Sequence, residues 1–561
     1  MEKKIVMLEK KGIRKYGVLI VFFLFVGLYA IPSIGGSSFE DNVDWWPMFN
    51  HDPQHTGFST SIAPCTSSIS WYYYTGDFLF SSPAVVDNKL YVGSIGMEWY
   101  DEHSIFELLH DAERSSFYDR HKLLDEIFGD ILSLQPLHGK VFCFDADTGA
   151  FIWSFIADGS VYSSPAVYDG KVYFTTIEIE VINQEEVGYI YCIDGTDGKE
   201  IWKSPIVCQL CSPLIVDNRL YIASEDGNVY CLDANDGSQI WNYNLEALLV
   251  GRGCSLAFYE DKVYVIPFHQ MEEVGKWIFC LDAENGDEIW RYFMRTLCYT
   301  PVIYDGKVYV SSFDWVSGEG FFNCINAETG KDIWNYEFGY HEIVMETIPC
   351  VAYGNVYVIS SDDNYGMCRF YCFDAETGEI KWNTNLESIY FLPPFGISVA
   401  DNKIYIMDFF GIILCYSALD GSLIWGISTG DLFASVPAIA DEKLFVASGM
   451  GVVCAFEDPL KIGKIKGGIA SVNAEINNIG DSNLSNVNWS VSVNGGLFDF
   501  ISRSNEGTFT NLEADSVESV RAFPILGFGK IDITVAVTAE GIGGTISKTE
   551  KGLVLGFLVI I

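Results

Sequence analysis

The stretch VYCLDANDGSQIW (Val229–Trp241) decides the fold, because it recurs. It reads VFCFDADTGAFIW at Val141–Trp153, IYCIDGTDGKEIW at Ile190–Trp202 and IFCLDAENGDEIW at Ile278–Trp290. It continues as FNCINAETGKDIW at Phe322–Trp334, FYCFDAETGEIKW at Phe370–Trp382 and ILCYSALDGSLIW at Ile413–Trp425. Each copy is a β-hairpin: an apolar, β-branched and aromatic arm, a D-A-x-x-G bend, and a second arm ending at Trp. The glycine column is complete (Gly149, Gly198, Gly237, Gly286, Gly330, Gly378 and Gly421), as a left-handed residue in a tight hairpin loop tolerates no Cβ. The Asp column (Asp145, Asp194, Asp233, Asp282 and Asp374, with Asn326 and Ser417 in the other copies) suits an Asx-type turn. A bound cation is the sharper reading of those carboxylates, but full calcium loops carry more oxygen ligands.

A second phrase precedes each hairpin, as in SSPAVVDNKLYVGS (Ser81–Ser94), SSPAVYDGKVYFTT (Ser163–Thr176) and SVPAIADEKLFVAS (Ser435–Ser448). It is strand, turn, strand, with D-G, D-N or G-N at most of the bends. One repeat is therefore four strands, A to D, with a period of roughly 40–50 residues, the range of β-propeller blades. The second phrase occurs eight times and the Trp hairpin seven, followed by a truncated copy, VVCAFEDP (Val452–Pro459), without a Trp arm. The missing outer strand has a donor upstream, SISWYYYTG (Ser68–Gly76), which places Trp71 in the eighth Trp position. The expectation is an all-β chain: an eight-bladed β-propeller closed by its own N-terminal strand, with no free seam. Trp71, Trp153, Trp202, Trp241, Trp290, Trp334, Trp382 and Trp425, with the glycine column, are structural repeat residues.

D-A-x-x-G-x-x-x-W resembles the tryptophan-docking repeat of the pyrroloquinoline-quinone (PQQ) propellers, a family of quinoprotein alcohol dehydrogenases and the non-enzymatic, BamB-like scaffold of outer-membrane assembly. The resemblance covers about Trp45–Asp458, and DWWPMFNHDPQHTGFS (Asp44–Ser59) resembles the opening segment of secreted members. It implies a structural role for His51, Asp52 and His55, whose spacing alone also suggests a metal. The repeat is specific for fold and not for activity. For a dehydrogenase the family implies PQQ with calcium near the ring axis, often against a vicinal disulfide. This chain has no Cys-Cys pair and no C-x-x-C-H haem motif.

The net charge is −41, from 75 acidic and 34 basic residues, which disfavours nucleic acid as a partner. Lys3, Lys4, Lys10, Lys11, Arg14 and Lys15 precede the apolar run Gly17–Ile31, and small residues follow it. Residues 1–36 read as a signal peptide, with an uncleaved anchor as the alternative. Both place the propeller outside the cytoplasm, secreted or held at the outer face of the cytoplasmic membrane. Of 15 cysteines, eight form one column (Cys143, Cys192, Cys231, Cys280, Cys324, Cys372, Cys415 and Cys454). Equivalent positions in neighbouring blades lie too far apart for a disulfide, so they read as small buried hydrophobes. Cys208 and Cys211 form a lone C-x-x-C without the second pair that zinc requires.

Residues 45–460 form the propeller and 461–561 a small Ig-like β-sandwich, its strands punctuated by Gly and Asn. The terminal LVLGFLVII is too short for a membrane span and reads as a last strand. The B–C loop of the first blade expands into a helical insertion, 97–138, with apolar residues at helical spacing. Irregular B–C loops share one face of the disc with the D–A loops. That face is the candidate partner surface, carrying Trp99, Tyr100, Trp315 and Tyr365. No G-x-S-x-G, H-E-x-x-H or phosphate loop occurs. The expected function is a non-catalytic extracytoplasmic scaffold, presenting one face to a protein or a cell-surface glycan. It has no cofactor, no metal and no catalytic residue, and meets the membrane only through its N-terminal segment. The alternative is a PQQ- and calcium-dependent quinoprotein dehydrogenase.

Overall fold

The structure, a computed structural model, describes residues 43–98, 138–180, 185–208, 211–245, 255–267, 277–294, 297–298, 300–314, 319–339, 342–343, 348–362, 367–390, 396–407, 411–428, 435–480, 482–540, 542 and 545–561. Among them, the strands from Phe58 to Glu457 fall into eight sheets. The first seven take four main strands each from consecutive chain, as in Leu214–Val216, Arg219–Ala223, Asn228–Asp233 and Gln239–Asn244. The eighth takes Ala438–Ala440, Lys443–Ala447 and Val452–Glu457, and its outer strand is Ile69–Tyr74 from the N-terminal region. That strand pairs antiparallel with Val452–Glu457, setting Trp71 opposite Ala455 and Tyr74 opposite Val452.

The inner strands touch in sequence order: Ala84–Val86, Ala166–Tyr168, Leu214–Val216, Ser255–Tyr259, Val302–Tyr304, Cys350–Ala352, Ile397–Ala400, Ala438–Ala440, and again Ala84–Val86. The fold is all-β and propeller-like, and at five junctions a sheet is locked to the next by one carbonyl. The Trp241 indole N–H donates to Ala283 O at 3.1 Å, and Tyr221, from the same sheet as Trp241, donates its hydroxyl to that oxygen at 3.2 Å. Arg219 Nη1 also donates to this oxygen, at 2.7 Å, so both lone pairs of the carbonyl are used. The pattern repeats at Ala234 (Trp202, Tyr173), Ala327 (Trp290, Tyr264), Ala375 (Trp334, Tyr309) and Ala418 (Trp382, Tyr357). Trp71 reaches Ala146 O at 3.0 Å. A buried indole such as Trp202 or Trp241 removes on the order of 200 Å² from water, about 5 kcal/mol at 25 cal/mol per Å².

Two departures mark irregular repeats. Gly195 replaces the alanine in the second sheet; Tyr91 still donates to its carbonyl at 3.1 Å, while the Trp153 indole nitrogen finds no acceptor. The eighth sheet has no D-A-x-x-G bend, so Trp425 stacks on Phe456, ring centroids 6.2 Å apart. There the N-terminal chain supplies the missing acceptor: Tyr405 donates to Pro64 O at 2.5 Å. The eight column cysteines are buried; burial pushes the Cys231 thiol up to about 12, so it packs as a hydrophobe.

Residues 460–560 form two more sheets. Leu460–Gly468, Ser471–Asn478 and Ser516–Ala522 make one. The other orders Ile501–Leu512, Leu484–Gly495, Gly527–Thr538, Ile546–Gly556 and Leu558–Ile560. They share one core that includes Val472, Ile476, Val491, Ile533, Val535 and Val554. The terminal LVLGFLVII closes one strand, turns, and returns as Leu558–Ile560.

Glycine 286 tests the docking contact. It sits at φ +78°, and a Cβ there would meet Trp241 Cε3 at 2.6 Å; Gly306, at φ +69°, has open space around the same position. Gly306→Ala should cost only the left-handed penalty, about 1 kcal/mol. Gly286→Ala should cost about 2–4 kcal/mol, because the indole must shift. Equal losses in denaturant unfolding would mean that the Trp–Gly contact contributes nothing.

Candidate functional site

Residues 44–60 make a circuit of the ring. Trp46 exchanges two backbone hydrogen bonds with Val85, at 2.9 and 2.7 Å. Then Pro47 O accepts from Val167, Pro53 O from Phe258, Gln54 O from Ile303, Thr56 O from Val351 and Gly57 O from Val399, all at 2.7–2.9 Å. The donors are one equivalent position, next to last in the inner strands of sheets one, two, four, five, six and seven. Inner strands at an axis have N–H groups with no sheet partner, and this segment satisfies them. The circuit then closes on itself: Asp44 accepts from Thr60 N at 2.6 Å, Thr60 Oγ1 at 2.9 Å and Ser59 Oγ at 3.2 Å.

Charged groups hold the circuit together. His51 lies 3.3 Å from Asp44 and 3.4 Å from Asp52, with its ring edge-on to Trp46. Asp52 also accepts from the Thr56 backbone at 3.0 Å and from its hydroxyl. Burial alone would depress the His51 value, but the bonds to Asp44 and Asp52 outweigh it and raise it to about 9. Burial would raise Asp44, and the His51 contact outweighs that and lowers it. His55 is fully enclosed, and burial depresses it to about 4 against the pull of Asp52. Asn50, His51 and His55 all take positive φ, a strained backbone that persists where its surroundings over-determine it. Among the described residues no three His, Cys, Asp or Glu are placed to hold a metal ion.

At the other end of the inner strands, hydroxyls join neighbouring sheets. Ser82 N donates to Ser164 Oγ at 3.0 Å, Ser164 N to Ser212 Oγ at 3.0 Å, and Val436 N to Ser82 Oγ at 2.8 Å. The calcium-bound quinone that the family's enzymes hold needs free oxygen ligands, which Asp44, Asp52 and these three serines do not supply. The serine oxygens are engaged by neighbouring backbone, and the Asp44 and Asp52 carboxylates by His51, Thr56 and Thr60.

Trp99, Tyr100, Trp315 and Tyr365 lie outside the described residues, as does the insertion from 99 to 137; Met97 and Glu98 end the strand Lys89–Glu98. On the same B–C side, strands Lys171–Glu180 and Glu185–Asp194 pair through ten residues each. Nearby, Pro205, Ile206, Val207, Ser224, Glu225, Asp226 and Tyr230 line a cleft of about 340 Å³. Tyr230 donates to Asp226 at 2.6 Å. Burial and then that carboxylate push its phenol up to about 12. The cleft offers carboxylates and a hydroxyl, suited to a cationic or hydroxyl-rich group. Ser224 and Tyr230 belong to the repeat and read as ordinary strand residues, and the other lining residues follow no repeat column, so sequence reasoning did not single them out.

The family model for outer membrane protein assembly factor BamB matches residues 128–186 and 275–392. Among solved structures, BamB from Moraxella catarrhalis is 17% identical, with a TM-score of 0.45 over 56% of this chain and 91% of that one. The two segments matched by the family model carry the PQQ-like, BamB-type propeller repeat. Europium-containing methanol dehydrogenase is similar to this chain at 14% identity and TM-score 0.50, over 72% of this chain and 89% of that one. A quinohemoprotein alcohol dehydrogenase from Comamonas testosteroni is 13% identical, with TM-score 0.50 over 76% and 83%. At these identities the likeness is one of fold. No curated protein matches the chain in sequence.

Folding raises His51 from its ordinary 6.5, so its stability contribution is complete below pH 6.5 and is lost as pH rises through 9, on the order of 3 kcal/mol. Folding lowers His55, so its contribution is complete above 6.5 and declines as pH falls towards 4. His51→Gln should lower Tm at pH 6 and flatten the Tm profile between pH 6.5 and 9. His55→Gln should flatten it between pH 4 and 6.5. Profiles of unchanged shape in both variants would contradict the ion-paired circuit.

Proposed function

We propose that this protein is a non-catalytic, extracytoplasmic scaffold: an eight-bladed propeller that offers its B–C face to a protein or glycan partner. The observation that carries the reading is the division of labour between the two ends of the ring. One end is stitched by the chain's own residues 44–60, and at the other the Ser82, Ser164 and Ser212 hydroxyls accept from neighbouring sheets. Chain-specific features, the long hairpins and the cleft at Tyr230, collect on the B–C side. Rigid rings with variable loops on one face suit recognition.

In this reading residues 461–561 are an Ig-like spacer, and residues 1–36 deliver the protein across a membrane or hold it there. No helix among the described residues is long and apolar enough to cross a membrane. The acidic balance, 75 against 34, favours basic or cation-bridged partners. The match to the BamB family model supports a scaffold; the dehydrogenase neighbours keep the enzymatic alternative in the test.

The test is a titration of residues 44–561 with PQQ and Ca²⁺, followed by absorbance and Tm. The scaffold reading predicts no saturable absorbance change and no rise in Tm at high ligand excess. A rise of several degrees with saturable binding would transfer the assignment to a quinoprotein dehydrogenase.

A further inference from the structure

The end of the C-terminal domain far from the propeller is apolar where water should be met. Strand Leu460–Gly468 leaves the last propeller sheet and runs to a turn at Ile469–Ala470. Three further segments converge there. Gly495 pairs with both Ile501 and Ile531, bringing the turn 496–500 beside the start of strand Gly527–Thr538. Gly527 pairs with Gly556, adding the turn at 556–557. Ile469 bridges Leu558, and Ile525 N bonds Ala470 O, adding 523–526.

Each segment carries large apolar side chains that nothing covers. Phe498 is 87% exposed, Phe500 84%, Ile469 71%, Leu526 61% and Phe557 60%. A soluble surface seldom gathers so many. The presentation is built in. A Cβ at Gly529, φ +117°, would strike Leu497 N at 2.7 Å, so the 496–500 turn is held tight against its neighbour.

The charges around the tip differ from those of the rest of the chain. Residues 461–561 contain eight Lys and Arg against ten Asp and Glu, whereas the whole chain has 34 against 75. Cations gather at the tip. Arg503 donates to Phe523 O at 3.1 and 3.3 Å, Arg521 lies 5.1 Å over the Phe523 ring, and Lys530 is exposed where its carbonyl accepts from Gly496. Asp499 and Asp532 are the acids there, and Asp532 lies opposite Lys551.

We propose that this tip inserts into the headgroup region of an anionic lipid bilayer, as a second membrane contact separate from the N-terminal segment. Phenylalanine and leucine on projecting turns, collared by arginine and lysine, match the depth profile of a bilayer surface: hydrocarbon at the tip and anionic headgroups at the collar. A partner copy would meet a flat, self-complementary face, whereas these side chains stand on four separate turns.

Residues 44–561 form a compact unit of their own, so the test uses that unit, free of the N-terminal apolar run. Flotation is measured with phosphatidylcholine vesicles and with vesicles containing about a quarter phosphatidylglycerol. The wild type should float with the anionic vesicles. Leu497→Ser, Phe498→Ser and Phe500→Ser together should lower the bound fraction at least tenfold with Tm unchanged. Arg503→Glu with Arg521→Glu should remove the anionic preference. Phe498→Trp should show a blue-shifted emission on anionic vesicles. Absence of wild-type flotation, or equal flotation of the serine variant, would overturn the proposal. A dimer that the serine variant disperses, without vesicle binding, would overturn it in favour of a second copy.

Discussion

One backbone carbonyl per repeat carries the architecture. In five repeats the alanine of D-A-x-x-G accepts both an indole N–H and a tyrosine O–H from the preceding sheet, as Ala234 does from Trp202 and Tyr173. Two donors on one oxygen fix distance and angle together, so the sheets repeat with constant geometry. The glycine three residues on leaves room for the indole face, and the Trp–Gly–Ala set works as a unit. Where a member is missing the contact changes: Trp153 loses its acceptor beside Gly195, and Trp425 turns to a ring stack.

A ring built from such a contact must solve its seam. The eighth repeat lacks both the bend and the outer strand, and the N-terminal region replaces each. Ile69–Tyr74 becomes the outer strand, and Pro64 O takes the Tyr405 hydroxyl. Cys65 N reaches the Asp458 carboxylate at 2.9 Å, fastening the segment to the last repeat. The same segment earlier crosses the inner strands of six sheets. Residues 44–74 therefore join the inside of the ring to its rim, and the function proposed for the loop face rests on that closure.

Much of this was legible in the sequence. Counting eight copies of one phrase against seven of the other pointed to a borrowed strand, and SISWYYYTG offered the upstream donor with a Trp arm. The circuit by residues 44–60 was legible only as an opening segment. Its acceptors are backbone carbonyls and its donors lie up to hundreds of residues away, so no side-chain pattern announces the pairing. The tyrosines that share the alanine carbonyl were visible only as part of an apolar strand. The exposed phenylalanines of the C-terminal tip sit in short runs such as GGLFDFIS, which read equally as strand or turn. The aromatic residues assigned to the loop face lie outside the described residues.

Residues 44–74 close the ring. Hydrogen exchange, read by mass spectrometry, compares the chain beginning at residue 44 with one beginning at residue 76. The shorter chain should lose protection in the inner strands holding Val167, Phe258, Ile303, Val351 and Val399, and in Val452–Glu457. Protection unchanged in those strands would contradict it, and would make the N-terminal segment an ornament on a ring that closes without it.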